Sequence, residues 1–214
     1  MIETYGDIVV ANEETQANAT VCRMVETADA ANEIRRQRDG FFFADRTVKT
    51  TISLSKITVD LDRFIRLPVI ETADFKDDVL RIAVASFTYD RRFHVLPDCS
   101  GEISAVVLKQ WVDKLDTVFV ALFKEKPVGF LALKETAPDT VFVHLAAVEE
   151  KYRMTGAAMA LYANACKVAK ERGYKKLEGR VSTQNAAVMN VYAAFGATFS
   201  DPQDVFLKEV SHDA

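Results

Sequence analysis

The residues from Arg153 to Ala158, RMTGAA, are of types that can hold an anion. They follow the apolar run TVFVHLAAV and lead into a long helical pattern. A helix start offers free backbone N–H groups and the positive end of a dipole, which together attract phosphate. Gly156, Ala157 and Ala158 keep side chains out of the way, and Arg153 adds a mobile cation at the mouth. The stretch suits a pyrophosphate cradle. It also suits an ordinary strand-to-helix turn packed by small residues, because one glycine says less than a three-glycine fingerprint. His144 lies in the preceding apolar run. A histidine can act as a base near neutral pH; a hydrogen-bonded core histidine or a substrate contact are the competing readings. Strict alternation places His144 with Ala146 and Val148 on one side of the pleat, and Phe142 with them.

Those residues need a scaffold, and the pattern supplies one. A helical spacing ends at Asp39-Gly40, and an alternating stretch from Val48 through Ile52 to Leu54 reads as a strand. ETADFKDDVLRIAVASFTY is a helix with Val79, Ile82, Ala83 and Phe87 on one stripe, capped by Thr72 or Asp74. A loop rich in charge precedes a helix carrying Val106, Val107, Trp111 and Leu115. Val118 to Phe123 and Val128 to Leu133 form a hairpin about Lys124 to Pro127. TVFVHLAAV is the next strand, Gly156 to Arg172 a helix stopped by Gly173, KKLEGRV a strand, NAAVMNVYAAFG a helix, and VFLKEV a last strand. A meander followed by β-α-β implies an α/β (α+β) mixed sheet with helices on its faces.

The bulk numbers narrow the function. The chain has 214 residues, 49% of them hydrophobic, and a net charge of -4. An acidic balance argues against nucleic acid as a partner. Cys22, Cys99 and Cys166 are sparse and odd in number, which fits neither a disulfide framework nor a zinc site. No metal site is expected. The start MIETYGDIVV has no basic region followed by an apolar core, and no apolar run is long enough for a bilayer. A reduced, cytoplasmic protein is expected.

LAAVEEKYRMTGAA resembles motif A of the GNAT superfamily of N-acetyltransferases, through Val148, Tyr152, Arg153, Gly156 and Ala158. Met154 stands where the family prefers glycine. NAAVMNVYAAFGA resembles the family's motif B, through Asn185, Tyr192 and Gly196. The resemblance covers residues 72–210 and implies acetyl-CoA as co-substrate. It implies that pantetheine runs along Ala146, Ala147 and Val148, and that the pyrophosphate sits on N–H groups of Met154, Thr155, Gly156, Ala157 and Ala158. Asn185 is implied as a further cofactor contact. Tyr192 is implied as the general acid that protonates the leaving thiolate, an aromatic packed under the sheet being the alternative. Direct attack by an amine is the family's usual chemistry, with His144 or water taking the proton.

The region from Asp77 to Leu115 resembles the dTDP-fucosamine acetyltransferases, through Ala85, Ser86, Phe87, Arg92, Phe93, Pro97, Gln110 and Trp111. Those enzymes acetylate an amino sugar on a nucleotide carrier. Arg91, Arg92 and His94 are then candidates to meet a nucleotide diphosphate, or else a solvated loop. A small N-terminal α/β domain over residues 1–66, echoing half of an acetyltransferase domain, is expected to precede the catalytic domain over 67–214. An acetyltransferase for a small amine or amino acid, and a non-catalytic acyl-CoA sensor, remain as alternatives. The oligomeric state stays open, a homodimer included.

Overall fold

The computed structural model describes residues 3–5, 8–11, 20–87, 101–115 and 118–210. Three strands come first: β1 (Glu3–Tyr5), β2 (Ile8–Ala11) and β3 (Val21–Thr27). Helix α1 (Ala30–Arg38), β4 (Phe42–Ser53) and β5 (Val69–Thr72) follow, then α2 (Lys76–Ser86) and α3 (Gly101–Asp113). The meander is β6 (Val118–Phe123), β7 (Lys126–Ala137) and β8 (Thr140–Val148). The chain closes with α4 (Ala157–Glu171), β9 (Lys176–Ser182), α5 (Ala186–Ala194) and β10 (Thr198–Glu209). All ten strands belong to one sheet, in the order β1-β2-β3-β10-β4-β9-β8-β7-β6-β5.

Alternation along the strands builds a core on each face of that sheet. In β6, Phe119 and Ala121 enter the cluster covered by α4, while Val118 and Val120 enter the cluster covered by α2 and α3. Helix α4 is alanine-rich on its sheet side, with Ala157, Ala160, Ala163, Ala165 and Ala169 all buried. Small side chains let that helix lie close to the sheet. The expected mixed sheet with helices on both faces is what the chain forms.

The boundary expected at residue 66 is not a break in the sheet. Strand β4 lies in the middle, antiparallel to β9 over Thr47↔Ser182 to Ser53↔Lys176 and antiparallel to β10 on its other side. Arg46 and the fully buried Asp204 tie β4 to β10 by two bonds of 2.5 and 2.8 Å. Strand β10 begins at Thr198, well before the expected VFLKEV, and bends where Asp201 takes a left-handed conformation (φ 47) before Pro202.

Two smaller expectations also change. Thr72 ends β5, an unforeseen edge strand, and Asp74 accepts and donates only within that turn; α2 starts after Phe75 without a side-chain cap. Strand β4 runs from Phe42 to Ser53, longer than its alternating core, and Leu54 begins a short 3-10 turn.

Candidate active site

The feature that organises the site is a parting of two parallel strands. β8 and β9 pair only at Thr140↔Lys176, Val141↔Leu177 and Phe142↔Glu178. Beyond that rung they diverge, so β8 from Val143 to Val148 has no strand partner on its β9 side. The other edge of β8 remains paired with β7 to the end, at Gly129↔Val148. Apart from the Val148 carbonyl, which accepts from Ser86 Oγ at 3.3 Å, this end of β8 presents an open backbone edge from Ala146 to Val148, the arrangement that an extended amide chain can join as a further strand.

His144 sits where the register slips. Ala132 pairs with Leu145 and Leu133 with Val143, so His144 is the extra residue of a β-bulge. The slip swaps the faces: Val143 packs in the α4 cluster and Leu145 in the α2/α3 cluster, although they are two residues apart. The uninterrupted alternation expected across His144 is thus corrected: Val143 shares a face with Ala146 and Val148, so Phe142 does not keep parity with them. The imidazole is exposed. The partial cover of the surrounding protein, then the charge of Lys134, keep its pKa below the ordinary histidine value. It is accordingly neutral at pH 7.

Tyr192, 1% exposed, packs from α5 against β9 at Gly179. A Cβ placed on Gly179 would lie 2.0 Å from Tyr192 Oη, so the phenol rests directly on the backbone of β9. Gly179 is the first β9 residue after the last rung shared with β8. The hydroxyl also lies beside those of Tyr162 and Thr50, and the Tyr162 and Tyr192 rings meet edge to face at 5.0 Å and 76°. Burial pushes the Tyr192 phenol up to about 12, against the influence of Tyr162 and Thr50. It keeps its proton across the neutral range, as a general acid must.

Beyond the open edge of β8 lies the hinge to α4. A 3-10 turn, Glu150–Thr155, leads to Gly156, which has φ 84 and ψ 8. That left-handed conformation is the physical reason for glycine here; a Cβ would meet nothing within 4 Å, so space on the protein side is not the constraint. Helix α4 then starts with no side-chain cap, and its first amides remain free for an anion. Thr155 Oγ1 donates to the Tyr152 carbonyl (2.6 Å). Arg153 is exposed and makes no ion pair among the described residues. Met154 is 97% exposed, so only its backbone can serve the loop. The buried Glu149 anchors the hinge: burial raises its carboxyl, but Arg81 from α2 and Lys151 outweigh this and hold it below the ordinary value. Asn185 accepts from Val188 N (3.2 Å) as the cap of α5.

Two residues beside the opening escaped the sequence reading. Gly179 is one, its signal being a glycine inside a strand pattern, which marks close approach. Glu178 is the other: it stands opposite Phe142 on the last rung, where its carboxylate meets Lys49 Nζ at 2.9 Å and Thr51 Oγ1 at 3.4 Å. Arg91, Arg92 and His94 lie outside the described residues. Cys166, buried in α4, has its thiol pushed up to about 12 by burial and offers no thiolate for a covalent route. Among the described residues no helix is long and apolar enough to cross a membrane.

Comparison with known proteins bears on the fold and the family. The model of the acetyltransferase (GNAT) family matches residues 77–197. No curated protein matches the sequence significantly. Among solved structures, a functionally unknown conserved protein from Staphylococcus epidermidis is 14% identical, with TM-score 0.67 over 90% of this chain and 74% of its own. A GCN5-related N-acetyltransferase from Sphaerobacter thermophilus is 15% identical, with TM-score 0.62 over 91% of this chain and 61% of its own. A GNAT-family protein from Novosphingobium aromaticivorans is 14% identical, with TM-score 0.60 over 97% of this chain and 86% of its own. At such identities the structures attest the fold, and the family model, which spans more than half of the chain, attests the kinship. The chain belongs to the GNAT family of acetyltransferases, a family that uses acetyl-CoA as co-substrate, and is an N-acetyltransferase.

Proposed function

We propose that the enzyme acetylates a primary amine on a nucleotide-linked amino sugar by direct attack, with Tyr192 as acid and His144 as base. The observation that carries the reading is the Tyr192 hydroxyl against Gly179, the first β9 residue after the last rung shared with β8. The open edge at Ala146 to Val148, the uncapped start of α4 and the exposed Arg153 fit the three parts of acetyl-CoA: a chain of amides, a pyrophosphate and further phosphate charge. The backbone of Met154 to Ala158 would hold the pyrophosphate, and Asn185, at the start of α5, is placed in the same reading as a further contact.

The acid role asks for a phenol that carries its proton until the C–S bond breaks, and burial keeps the Tyr192 hydroxyl protonated across the neutral range. His144, neutral at pH 7, takes the amine's proton; Glu178 is the weaker candidate because Lys49 and Thr51 already engage its carboxylate.

The acceptor class rests on the sequence around Arg91, Arg92 and His94. One neighbour, a glucosamine N-acetyltransferase region of a fungal β-N-acetylglucosaminidase, shares the fold at 12% identity and TM-score 0.56. Thiol release from acetyl-CoA across a panel of nucleotide amino sugars, free amino sugars, amino acids and simple amines tests the proposal. Nucleotide amino sugars should have the highest kcat/KM. Equal turnover of amines that lack phosphate would replace the sugar nucleotide with a small amine.

A further inference from the structure

Thr50 carries a fully buried hydroxyl for which no described residue supplies a well-formed hydrogen bond. Buried polar side chains are nearly always paired, so an exception calls for a reason. Thr50 lies in β4, directly opposite Gly179 of β9. The point where a Gly179 Cβ would stand is 3.0 Å from Thr50 Oγ1 and 2.0 Å from Tyr192 Oη. The Thr50 hydroxyl therefore faces the Tyr192 hydroxyl across the bare glycine, and Tyr162 approaches that hydroxyl from α4. A phenol oxygen accepts as well as donates. Donation from both neighbours would fill the acceptor side of Tyr192 Oη and leave its own hydrogen for another partner.

We propose that Thr50 is a positioning residue: its hydroxyl donates to Tyr192 Oη, turns the phenol's proton toward the departing sulfur, and stabilises the phenoxide left behind. The inference rests on the reading of Tyr192 as the acid. In that step the amine's lone pair forms the C–N bond, and the C–S bond breaks with its pair on sulfur. The Tyr192 proton moves to sulfur, and the O–H pair remains on Oη. The proton lost by the amine passes to His144 or solvent, from which the phenol is restored. A buried phenoxide without donors is strongly disfavoured, and Thr50 with Tyr162 supplies them. Strand β4 thereby contributes a working group to the site as well as a rung to the sheet.

The test uses the full chain with Thr50→Val, which keeps the shape and removes the hydroxyl, and Thr50→Ser, which keeps the hydroxyl. Steady-state kinetics with acetyl-CoA and a turned-over amine is one readout. The second needs no acceptor: the 13Cζ NMR signal of Tyr192 in tyrosine-labelled protein, assigned by its loss in Tyr192→Phe. Thr50→Val should lower kcat roughly 10–100-fold, the worth of a hydrogen bond to a charged group, and leave KM for acetyl-CoA unchanged. It should shift the Tyr192 signal and have no further effect in the Tyr192→Phe background. Thr50→Ser should restore both readouts. Equal losses in the Val and Ser variants, or a Val variant with wild-type kcat and an unmoved signal, overturn the inference even if Tyr192→Phe is slow. Wild-type kcat in Tyr192→Phe overturns the acid reading, and this inference with it.

Discussion

Gly179→Ala is a one-carbon change whose consequence follows from the packing. The new Cβ would stand 2.0 Å from Tyr192 Oη and 2.8 Å from its Cζ, where ordinary contact begins at 3.4 Å. The hydroxyl must retreat by about 1.4 Å to restore contact distance. It has little room, because Tyr192 is 1% exposed and its ring already abuts Tyr162 at 5.0 Å. Alanine in place of glycine within a strand ordinarily stabilises by about 0.5–1 kcal/mol. Overpacking costs about 1–3 kcal/mol and here reverses that sign. For a chain of this size each kcal/mol moves Tm by about 2–4 °C, so a fall of several degrees is expected. Misplacing a catalytic group by about 1 Å costs on the order of 10²-fold in rate. Thermal unfolding and kcat, measured on the same preparation, read both effects. In a Tyr192→Phe background the nearest clash disappears with Oη, and the stability cost of Gly179→Ala should shrink. A Gly179→Ala enzyme with unchanged or raised Tm and wild-type kcat would refute the placement of Tyr192 against β9.

Gly156→Ala puts a side chain at φ 84, a conformation that costs L-residues about 1–2 kcal/mol; calorimetry should show weaker acetyl-CoA binding, and unchanged affinity would remove Gly156 from the cradle. His144 has a lowered pKa, so its base form persists at neutral pH. The acid limb of the kcat profile should then fall below the ordinary value of about 6.5 and vanish in His144→Gln, whereas Glu178→Gln should leave it in place. Tyr192, near 12, should impose no alkaline limb across the neutral range. Deleting residues 1–66 removes β4 from between β9 and β10, and circular dichroism should show loss of cooperative unfolding; a truncated protein that unfolds cooperatively would mark 67–214 as self-sufficient.

Local pattern made the helices and the meander legible. The buried alanines of α4, the β6–β7 hairpin, and Val79, Ile82 and Ala83 of α2 all follow from spacing of apolar residues, although the turn is Lys124-Glu125 alone and Lys126 and Pro127 already pair in β7. The hinge around Gly156 was legible for the same reason: the junction, the glycine and the small residues are contiguous in the chain. What was hidden depends on partners distant in sequence. Thr50 meets Gly179, and Arg46 meets Asp204, across more than a hundred residues. The bulge at His144 is a mismatch between β7 and β8, and β8 alone continues to alternate in composition. Strand β5 was missed because four residues at a sheet edge, ending in Thr72, carry the same polar letters as a helix cap. Glu178 was passed over because its place on the last rung and its contacts with Lys49 and Thr51 are set by the strands beside it and not by its own neighbours in sequence.

Tyr192→Phe, compared with wild type in acetyl-CoA turnover under conditions where chemistry limits the rate, tests the central claim most directly. The phenol is taken as an acid needed only as the C–S bond breaks, so removing its hydroxyl should lower kcat about 10²–10⁴-fold and leave KM and calorimetric affinity for acetyl-CoA unchanged. A variant that turns over at the wild-type rate, or one that loses acetyl-CoA binding in proportion to rate, would contradict the account.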